Sequence, residues 1–284
     1  TTVSSNIATY NAAIGDIDGD GDIDIFLPRA TGSDGKVFKN NGVGYFTLSQ
    51  TVTGARGHDA ELGDLDGDGD LDAFIVSNSS YGNSIFLNDS LGNFTQLGQT
   101  FSSDGSNVAL GDIDNDGDLD AWIGTSGNTS ELWLNDGNAS FTLHSTINNG
   151  SYCKAVNLYD FDNDGDLDVF LGFYSSDPQV WQQKDNLTFS LCYDAPVGSS
   201  CHGQTIGFIN DDNYIDIYSG YFSNSDGDYV FLNNSPEIEY ANNPFCPYIT
   251  TPQNVILTGG TGGGAVRGFV SKYSWQHMDP GSYE

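Results

Sequence analysis

The chain has 284 residues, of which 39 are acidic and eight are basic, and its formal net charge at pH 7 is −31. A negative field of this size disfavours binding to nucleic acids and to anionic membrane surfaces. No apolar run in the sequence approaches the length of a membrane-spanning helix, and we therefore expect no membrane insertion.

The acidic residues are concentrated in a nine-residue motif, D-φ-D-[GN]-D-G-D-φ-D, where φ is apolar. It begins at Asp16 and recurs at Asp64, Asp112 and Asp160, each time 48 residues later. Two like charges about 4 Å apart cost roughly 1 kcal/mol in water and about 4 kcal/mol at an effective dielectric constant of 20. A hard divalent cation relieves this repulsion, and Ca²⁺ accepts several oxygen ligands in a flexible shell. The sequence therefore predicts about four bound Ca²⁺ ions.

The spacing of the motif also predicts what each residue does, when its positions are numbered 1 to 9. Carboxylates at positions 1, 3 and 5 point inward as the chain wraps the ion, position 7 ligates through its backbone carbonyl, and position 9 closes the shell. Position 6 is always Gly and position 4 is Gly or Asn, which are residues that tolerate a sharp or left-handed bend. The predicted metal ligands are Asp16, Asp18, Asp20, Asp22, Asp24, Asp64, Asp66, Asp68, Asp70, Asp72, Asp112, Asp114, Asp116, Asp118, Asp120, Asp160, Asp162, Asp164, Asp166 and Asp168.

The residues that flank the motif exclude an EF-hand. Each copy is followed by a short run of β-branched and aromatic residues, such as Ile23–Leu27, which predicts a strand. No amphipathic helix brackets any copy. The second repeat predicts four strands, at 59–64, 71–77, 84–88 and 94–99.

A second signature marks the predicted third strand, where an aromatic residue is followed two positions later by an amide in most repeats, as in Ile85-Phe86-Leu87-Asn88. A turn then leads to a further aromatic residue in the predicted fourth strand, at Phe46, Phe94, Phe141 and Phe189. We interpret these aromatic residues as core packing between neighbouring sheets rather than as a ligand-stacking surface.

The fifth repeat is degenerate. Phe208, Asn210, Asp212, Tyr214 and Asp216 occupy positions 1, 3, 5, 7 and 9. The structural unit is predicted to be kept and its metal site lost.

The composition changes after residue 247, which divides the chain into five repeats (1–247) and a tail (248–284). The tail contains a Gly-rich run (259–264) followed by an apolar piece (265–270). It is interpreted as a decayed sixth unit, a strand that folds back, or an arm that adds to the sheet edge of another molecule. The Gly-rich run slightly favours the arm.

Repeats of four short strands at this spacing suggest a β-propeller. The acidic loop between the first two strands, with the aromatic and amide signature downstream, resembles the FG-GAP/VCBS repeat family over residues 10 to about 235. That family includes the Ca²⁺ loops of integrin α-subunit propellers and several secreted adhesins and lectins. The resemblance implies an all-β propeller of four-stranded blades, with Ca²⁺ loops between the first and second strands of blades 1–4. Five blades are expected, six being the alternative, although propellers of the family commonly have seven.

The four cysteines suggest an oxidising compartment, and extracellular Ca²⁺ is abundant enough to fill weak sites. Both features predict a secreted or cell-surface protein. Cys192 and Cys201 form the short-loop disulfide candidate, and buried thiols are the alternative. Eight N-x-S/T sequons make the chain a candidate glycoprotein, at Asn78, Asn88, Asn93, Asn128, Asn138, Asn149, Asn186 and Asn233.

No catalytic constellation stands out, and the four histidines lie in no recognisable motif. The sequence therefore predicts no enzyme but a calcium-binding extracellular module for adhesion, a surface coat or structural assembly. Its partners would be an extracellular protein, a glycan or copies of itself. The alternative is a lectin that binds sugars between blades, with Trp133, Trp181 and Tyr81 as candidates. A Ca²⁺-dependent polysaccharide lyase is a more distant alternative.

Overall fold

The computed structural model describes residues 8–30, 34–78, 81–99, 101, 104–194, 201–209, 214–221, 229–233 and 253–254. The described residues form no helix, so none is present that could span a membrane. Their strands form five four-stranded antiparallel sheets, and in each sheet the strands follow one another in chain order. We call each sheet a blade.

The strands are short and recur with the 48-residue period. Blade 1 contains β1 (Ala13–Gly15), β2 (Asp24–Leu27), β3 (Asp34–Lys39) and β4 (Thr47–Thr53). Blade 2 contains β5 (Asp59–Gly63), β6 (Asp72–Val76), β7 (Ser84–Leu87) and β8 (Thr95–Leu97). Blade 3 contains β9 (Gly105–Gly111), β10 (Asp120–Thr125), β11 (Thr129–Asn135) and β12 (Phe141–Asn148). Blade 4 contains β13 (Cys153–Tyr159), β14 (Asp168–Phe173), β15 (Gln179–Lys184) and β16 (Thr188–Asp194). Blade 5 contains β17 (Cys201–Gly207), β18 (Asp216–Tyr221), β19 (Tyr229–Phe231) and β20 (Gln253–Asn254).

The strands of blade 2 lie where the sequence predicts them. The fourth strand of blade 5 is different, because β20 pairs with β19 from within the stretch assigned to the tail. A strand that folds back from the tail is one of the three interpretations given above, and the boundary at residue 247 stays a prediction. The paths of residues 255–284 and of the Gly-rich run lie outside the described residues, so the three interpretations of the tail stay predictions.

The apolar core lies between the blades. Each of four buried clusters joins one blade to the next, and the first strands of successive blades lie side by side. Such packing buries the second strands almost completely: every residue of β6, β10 and β14 is buried. Because both faces of these strands are buried, their sequences are almost continuously apolar.

The aromatic residues of the fourth strands pack against the preceding blade, as predicted. Phe94 meets Phe26 edge-on with ring centroids 4.9 Å apart. The same contact recurs one blade later between Phe141 and Phe74 at 5.3 Å, and again between Phe189 and Trp122 at 4.7 Å. Edge-to-face pairs of this kind stabilise a core beyond the area they bury.

Candidate metal sites

The acidic motif forms the loop between the first and second strands of blades 1–4. In each loop the position-1 carboxylate accepts a hydrogen bond from the position-6 backbone N–H, with donor–acceptor distances of 2.9–3.1 Å. The backbone is left-handed at the two bends: φ at position 6 is 91° to 99°, and φ at Asn115 and Asn163 in position 4 is 61° and 58°. This geometry explains why the motif requires Gly at position 6 and Gly or Asn at position 4.

Each loop brings three carboxylates together, from positions 1, 3 and 9, with one oxygen of each lying within 4.8 Å of the others. We call each group a carboxylate trio. The four trios are Asp16, Asp18 and Asp24; Asp64, Asp66 and Asp72; Asp112, Asp114 and Asp120; and Asp160, Asp162 and Asp168.

The structure does not place the side chains of positions 5 and 7 in the trios. The position-5 residues Asp20, Asp68, Asp116 and Asp164 accept the N–H of position 7 through Oδ1 at 2.9–3.0 Å. The position-7 residues Asp22, Asp70, Asp118 and Asp166 are half-buried; Asp70 accepts the Ser90 hydroxyl at 2.6 Å, and Asp166 accepts the side-chain N–H of Asn115 at 3.0 Å. Ligation by position 5 and by the position-7 carbonyl stays a prediction.

Buried oxygens without a hydrogen-bond partner show that the trios suit a cation. Oδ1 of Asp18, of Asp66 and of Asp112 is inaccessible to solvent and has no partner. A buried carboxylate oxygen with no donor is costly. A divalent cation between the three carboxylates would supply the missing interaction, and all-oxygen ligands are those that Ca²⁺ prefers. These residues would hold the ion, and its charge would offset their repulsion.

The electrostatics of the loops also favour a cation. Burial, followed in some cases by neighbouring carboxylates, raises the pKa of Asp66, Asp114 and Asp160, and raises that of Asp162 to about 6. An acid with a raised pKa is disfavoured in its charged form. A bound cation acts in the opposite direction.

The position-9 aspartate has a second task that the sequence did not reveal. Its Oδ2 accepts the backbone N–H of position 2 at 2.9–3.2 Å. Its Oδ1 accepts a backbone N–H at or near the end of the third strand at 2.7–2.9 Å. It thus ties the loop to the third strand within one blade. We call these residues, all at most 1% exposed, the bracket aspartates: Asp24, Asp72, Asp120, Asp168 and Asp216.

Burial raises the pKa of the bracket aspartates of blades 1–4, although both oxygens of each accept hydrogen bonds. The pKa is raised to about 6 for Asp72, to about 7 for Asp120 and to about 8 for Asp168. In each case desolvation outweighs the two backbone donors, and the other aspartates of the loop add to the shift. The charged forms of these three carboxylates are therefore disfavoured by the fold.

The amide at the end of the third strand links neighbouring blades. Its side chain donates to the position-2 carbonyl of the preceding blade at 2.8–3.1 Å. We call these residues the linking amides: Asn88, Asn135, Gln183 and Asn233. Together with the bracket aspartates they form one continuous series of hydrogen bonds from blade 1 to blade 5. The repeated Asn or Gln was visible in the sequence, but its acceptor lies 70 to 72 residues away.

The first loop differs from the others because a lysine approaches its trio. Lys39 Nζ lies 3.0 Å from Asp18 Oδ2 and also donates to the carbonyl of Leu91 at 2.5 Å. Blades 2 and 3 carry Leu87 and Leu134 at the matching position. The first trio is therefore partly neutralised by the protein itself.

The burial of three asparagines contradicts their prediction as glycosylation sites. Asn88, Asn149 and Asn233 are 3–7% exposed, and Asn88 and Asn233 are linking amides whose Nδ2 is already bonded. A glycan on these nitrogens does not fit the folded blades. Asn93, Asn128, Asn138 and Asn186 are exposed and Asn78 is half-buried, so glycosylation there stays a prediction.

The cysteines divide into two kinds. Cys192 is disulfide-bonded. Cys153 is a buried thiol that donates to the carbonyl of Ala155 at 3.3 Å. The pairing of Cys192 with Cys201 stays a prediction, since the side chains of Cys201 and Cys246 lie outside the described residues.

Comparison with known proteins adds three findings. No curated protein matches the chain. Among solved structures, the V. cholerae biofilm matrix protein Bap1 matches with a TM-score of 0.44 and 19% identity, over 81% of this chain. The chain spans only 36% of that protein. The FG-GAP-like repeat model matches three times, at residues 16–75, 64–123 and 112–171. These matches cover more than half of the chain, and each runs from one acidic loop to just past the next. The chain therefore belongs to the FG-GAP-like repeat family.

Proposed function

We propose that this protein is a non-catalytic, extracellular β-propeller module for adhesion or structural assembly, and that four Ca²⁺ ions stabilise its blades. The observation that carries the proposal is the recurrence of the carboxylate trio in four loops of one geometry. A single acidic cluster is common on protein surfaces. Four clusters in register, three of them with a buried oxygen that lacks a donor, favour a cation.

Each ion would act locally on its own blade. It would join the start of the loop to the bracket aspartate, and hence the first strand to the second and third strands. At a free concentration 100 times the dissociation constant, one ion adds about 2.7 kcal/mol to the free energy of unfolding. This contribution suits a protein whose charge of −31 opposes compaction.

The extracellular location and the absence of catalysis are parts of the proposal. A disulfide at Cys192 suits an oxidising compartment. Carboxylates that hold a structural cation, or that accept hydrogen bonds from buried backbone N–H groups, are poor general acids and bases. Neither role lets them exchange protons with a substrate. Five blades with a further contribution from the tail, and ring closure, are likewise proposed.

The test is metal analysis combined with calorimetry on the full chain. After dialysis against Ca²⁺, about four ions per chain should remain, and chelation should lower the melting temperature by many degrees. Equal melting in Ca²⁺ and in chelator would contradict the structural role. Mg²⁺ at the same concentration is the control, because it demands a tighter octahedral shell and should stabilise less.

A second candidate function is binding of an acidic glycan, at Tyr81 but not at the two tryptophans named from the sequence. Trp133 is 6% exposed and packs against Phe101, and the Nε1–H of the half-buried Trp181 is bonded to Gln179 at 3.0 Å. These two tryptophans do not offer a sugar platform. Tyr81 is 58% exposed.

The observation that favours this candidate is a set of aromatic and basic side chains at the strand ends opposite the acidic loops. The guanidinium of Arg56 lies 4.4 Å from the centre of the Tyr81 ring. The ammonium of Lys154 lies 4.1 Å from the ring of Tyr152 and 5.7 Å from that of Tyr174. Rings would stack on sugar faces and the cations would pair with carboxylates.

Titration with a soluble polyuronate, followed by calorimetry, tests this candidate. Binding that is lost in Tyr81→Ala and Lys154→Ala but kept in Tyr45→Ala would support it. Tyr45 is also exposed but lies at the acidic-loop end. Equal binding of neutral dextran, or no binding of polyuronate, would contradict it.

A further inference from the structure

The first strands of the blades begin at the end of the molecule opposite the acidic loops, and one position of the 48-residue repeat lies at or near their starts. That position carries a different kind of side chain in almost every blade: Tyr10, His58, Ser106, Lys154 and His202. Lys154 belongs to the aromatic and basic set considered above for an acidic glycan. The side chain of His202 lies outside the described residues.

His58 connects side chains of three blades at this end. Its imidazole stacks on the ring of Tyr10, which precedes β1, with ring centroids 4.7 Å apart and ring planes 9° from parallel. Its Nδ1 accepts the backbone N–H of Asn78 at 3.4 Å. The Asn78 side chain in turn donates to the hydroxyl of Tyr152, in blade 4, at 3.0 Å. We call these four residues and Lys154, whose ammonium lies 4.1 Å from the centre of the Tyr152 ring, the histidine cluster.

His58 is the residue of this cluster whose charge changes near neutral pH. Its pKa is lowered from 6.5, first by burial and then by the positive charge of Lys154, while Asp59 acts in the opposite direction. The imidazole is therefore uncharged at neutral pH, which agrees with Nδ1 being a hydrogen-bond acceptor. A carboxylate bound beside Lys154 would offset the ammonium charge and favour the protonated imidazole.

The carboxylate next to His58 in the chain is already engaged. Within the described residues, the charged groups at the starts of the first strands of blades 2–4 are Arg56, Asp59, Asp104 and Lys154. Asp59 is 2% exposed, and its two oxygens accept the side-chain N–H groups of Asn11 and Asn107. Asp104, in blade 3, is exposed to solvent. A proton on His58 thus adds a positive charge that an incoming anion can neutralise.

We propose that protonation of His58 turns the histidine cluster into a stronger binding site for acidic glycans, so that affinity rises as the pH falls. The inference rests on the second candidate function and adds a titrating residue to it. The Tyr10 and Tyr152 rings would stack on sugar faces, while the glycan carboxylate would face Lys154 and the imidazolium of His58. The complex then takes up a proton that the free protein does not hold, and this uptake links affinity to pH.

Calorimetric titration of the full chain with trigalacturonate, in constant Ca²⁺ and at about pH 7.5 and 5.5, tests the proposal. A trisaccharide avoids the calcium gels that long polyuronates form. Affinity should be about three- to tenfold higher at the lower pH, because each unit by which the glycan raises the His58 pKa is worth at most tenfold. In His58→Gln, which keeps an acceptor for the Asn78 N–H but does not titrate, affinity should change by less than about twofold. His144→Gln, on the exposed outer strand β12, is the matched control and should behave like the unmodified chain.

Two further measurements separate this inference from the glycan binding on which it rests. Titration near pH 6 in buffers of different ionisation enthalpy counts the protons taken up, which should be a fraction of one for the unmodified chain and none for His58→Gln. His58→Phe keeps a ring against Tyr10 and is a second variant that does not titrate. Circular dichroism of each variant confirms that it is folded.

Each outcome decides between the two proposals. Equal affinity at both pH values would overturn the role of His58 and leave glycan binding standing. So would a pH dependence that persists in both folded His58 variants, or one that is lost in His202→Gln instead. No binding of trigalacturonate at either pH would overturn both proposals.

Discussion

Blade 5 and the first four blades share one feature and differ in another. All five have a bracket aspartate, and Asp216 in blade 5 accepts N–H groups from Ile209 and Asn233 at 2.9 Å each, as its equivalents do. Only blades 1–4 have acids at positions 1 and 3, because blade 5 carries Phe208 and Asn210 there. The bracket therefore persists in a blade without the trio. The bracket is a requirement of every blade, whereas the trio is an addition found in blades 1–4.

The two features differ in their energetics. The bracket aspartate accepts hydrogen bonds from two buried, uncharged N–H groups, so it stabilises the blade whether or not an ion is bound. The acids at positions 1 and 3 leave buried oxygens without donors and repel one another, so they stabilise the blade only when a cation joins them. This contrast can be tested by changing each feature alone.

The largest effect is expected from removing a bracket. Asp120→Ala leaves the N–H groups of Ile113 and Asn135 without an acceptor in a buried site. At about 1–3 kcal/mol for each, the free energy of unfolding should fall by about 2–6 kcal/mol in chelator, and by more in Ca²⁺ because Asp120 also belongs to the third trio. Urea denaturation in the two buffers measures this. A loss seen only in Ca²⁺ would show that Asp120 is a ligand and not a bracket.

Removing a trio member should have an effect that depends on the buffer. Asp114→Ala should cost about 2.7 kcal/mol in saturating Ca²⁺, the contribution of one ion at 100 times its dissociation constant. In chelator the same change should be neutral or stabilising, because burial and Asp116 raise the pKa of Asp114 and so oppose its charge. Thermal melts in both buffers test the sign. Asn210→Ala, at position 3 of blade 5, is the matched control and should show no dependence on Ca²⁺.

A smaller effect is expected from pH in the absence of metal. The folded-state pKa values of Asp72, Asp120 and Asp168 are raised from 3.8 to about 6, 7 and 8. Folding therefore favours their protonated forms, and the stability they contribute is complete near pH 4 and is lost as the pH rises through 6 to 8. In chelator the melting temperature should fall by several degrees between about pH 5 and 8.5. In Ca²⁺ the fall should be much smaller, and equal falls in both buffers would contradict a cation at these carboxylates.

The smallest effect concerns the first loop. Lys39→Leu introduces the residue found in blades 2 and 3 and removes the ammonium from Asp18. A partly exposed ion pair is worth about 0.5–1 kcal/mol, so the affinity of the first trio for Ca²⁺ should rise about two- to fivefold. Calorimetric titration resolves this if the first site is the weakest of the four. Lys36→Leu, on the same strand but away from the loop, should leave the affinity unchanged.

The sequence predicted what is local and repeated. The short runs of β-branched and aromatic residues located the strands of blade 2 to within a few residues, and the Gly and Asn positions predicted the left-handed bends. These features depend on residues close together in the chain, and the fourfold recurrence reinforced the prediction.

The sequence did not predict contacts whose partners are backbone groups or distant residues. A position-9 aspartate looks like any other acid in the motif, since the N–H groups it accepts leave no trace in the residue pattern. The linking amide of Asn135 meets the carbonyl of Leu65, 70 residues earlier. Likewise, β20 pairs with β19 from beyond residue 247, and composition alone does not show which strand a later segment pairs with.

The linking amides have a consequence for how such chains change in length over evolution. Every 48-residue unit contributes one side-chain amide that donates a hydrogen bond to the preceding unit and one backbone carbonyl that accepts a hydrogen bond from the following unit. Duplicating or deleting a whole unit therefore restores a matching junction without any compensating substitution. A protein built this way can gain or lose units by recombination at almost any repeat boundary, while an insertion of fractional length would leave one junction mismatched.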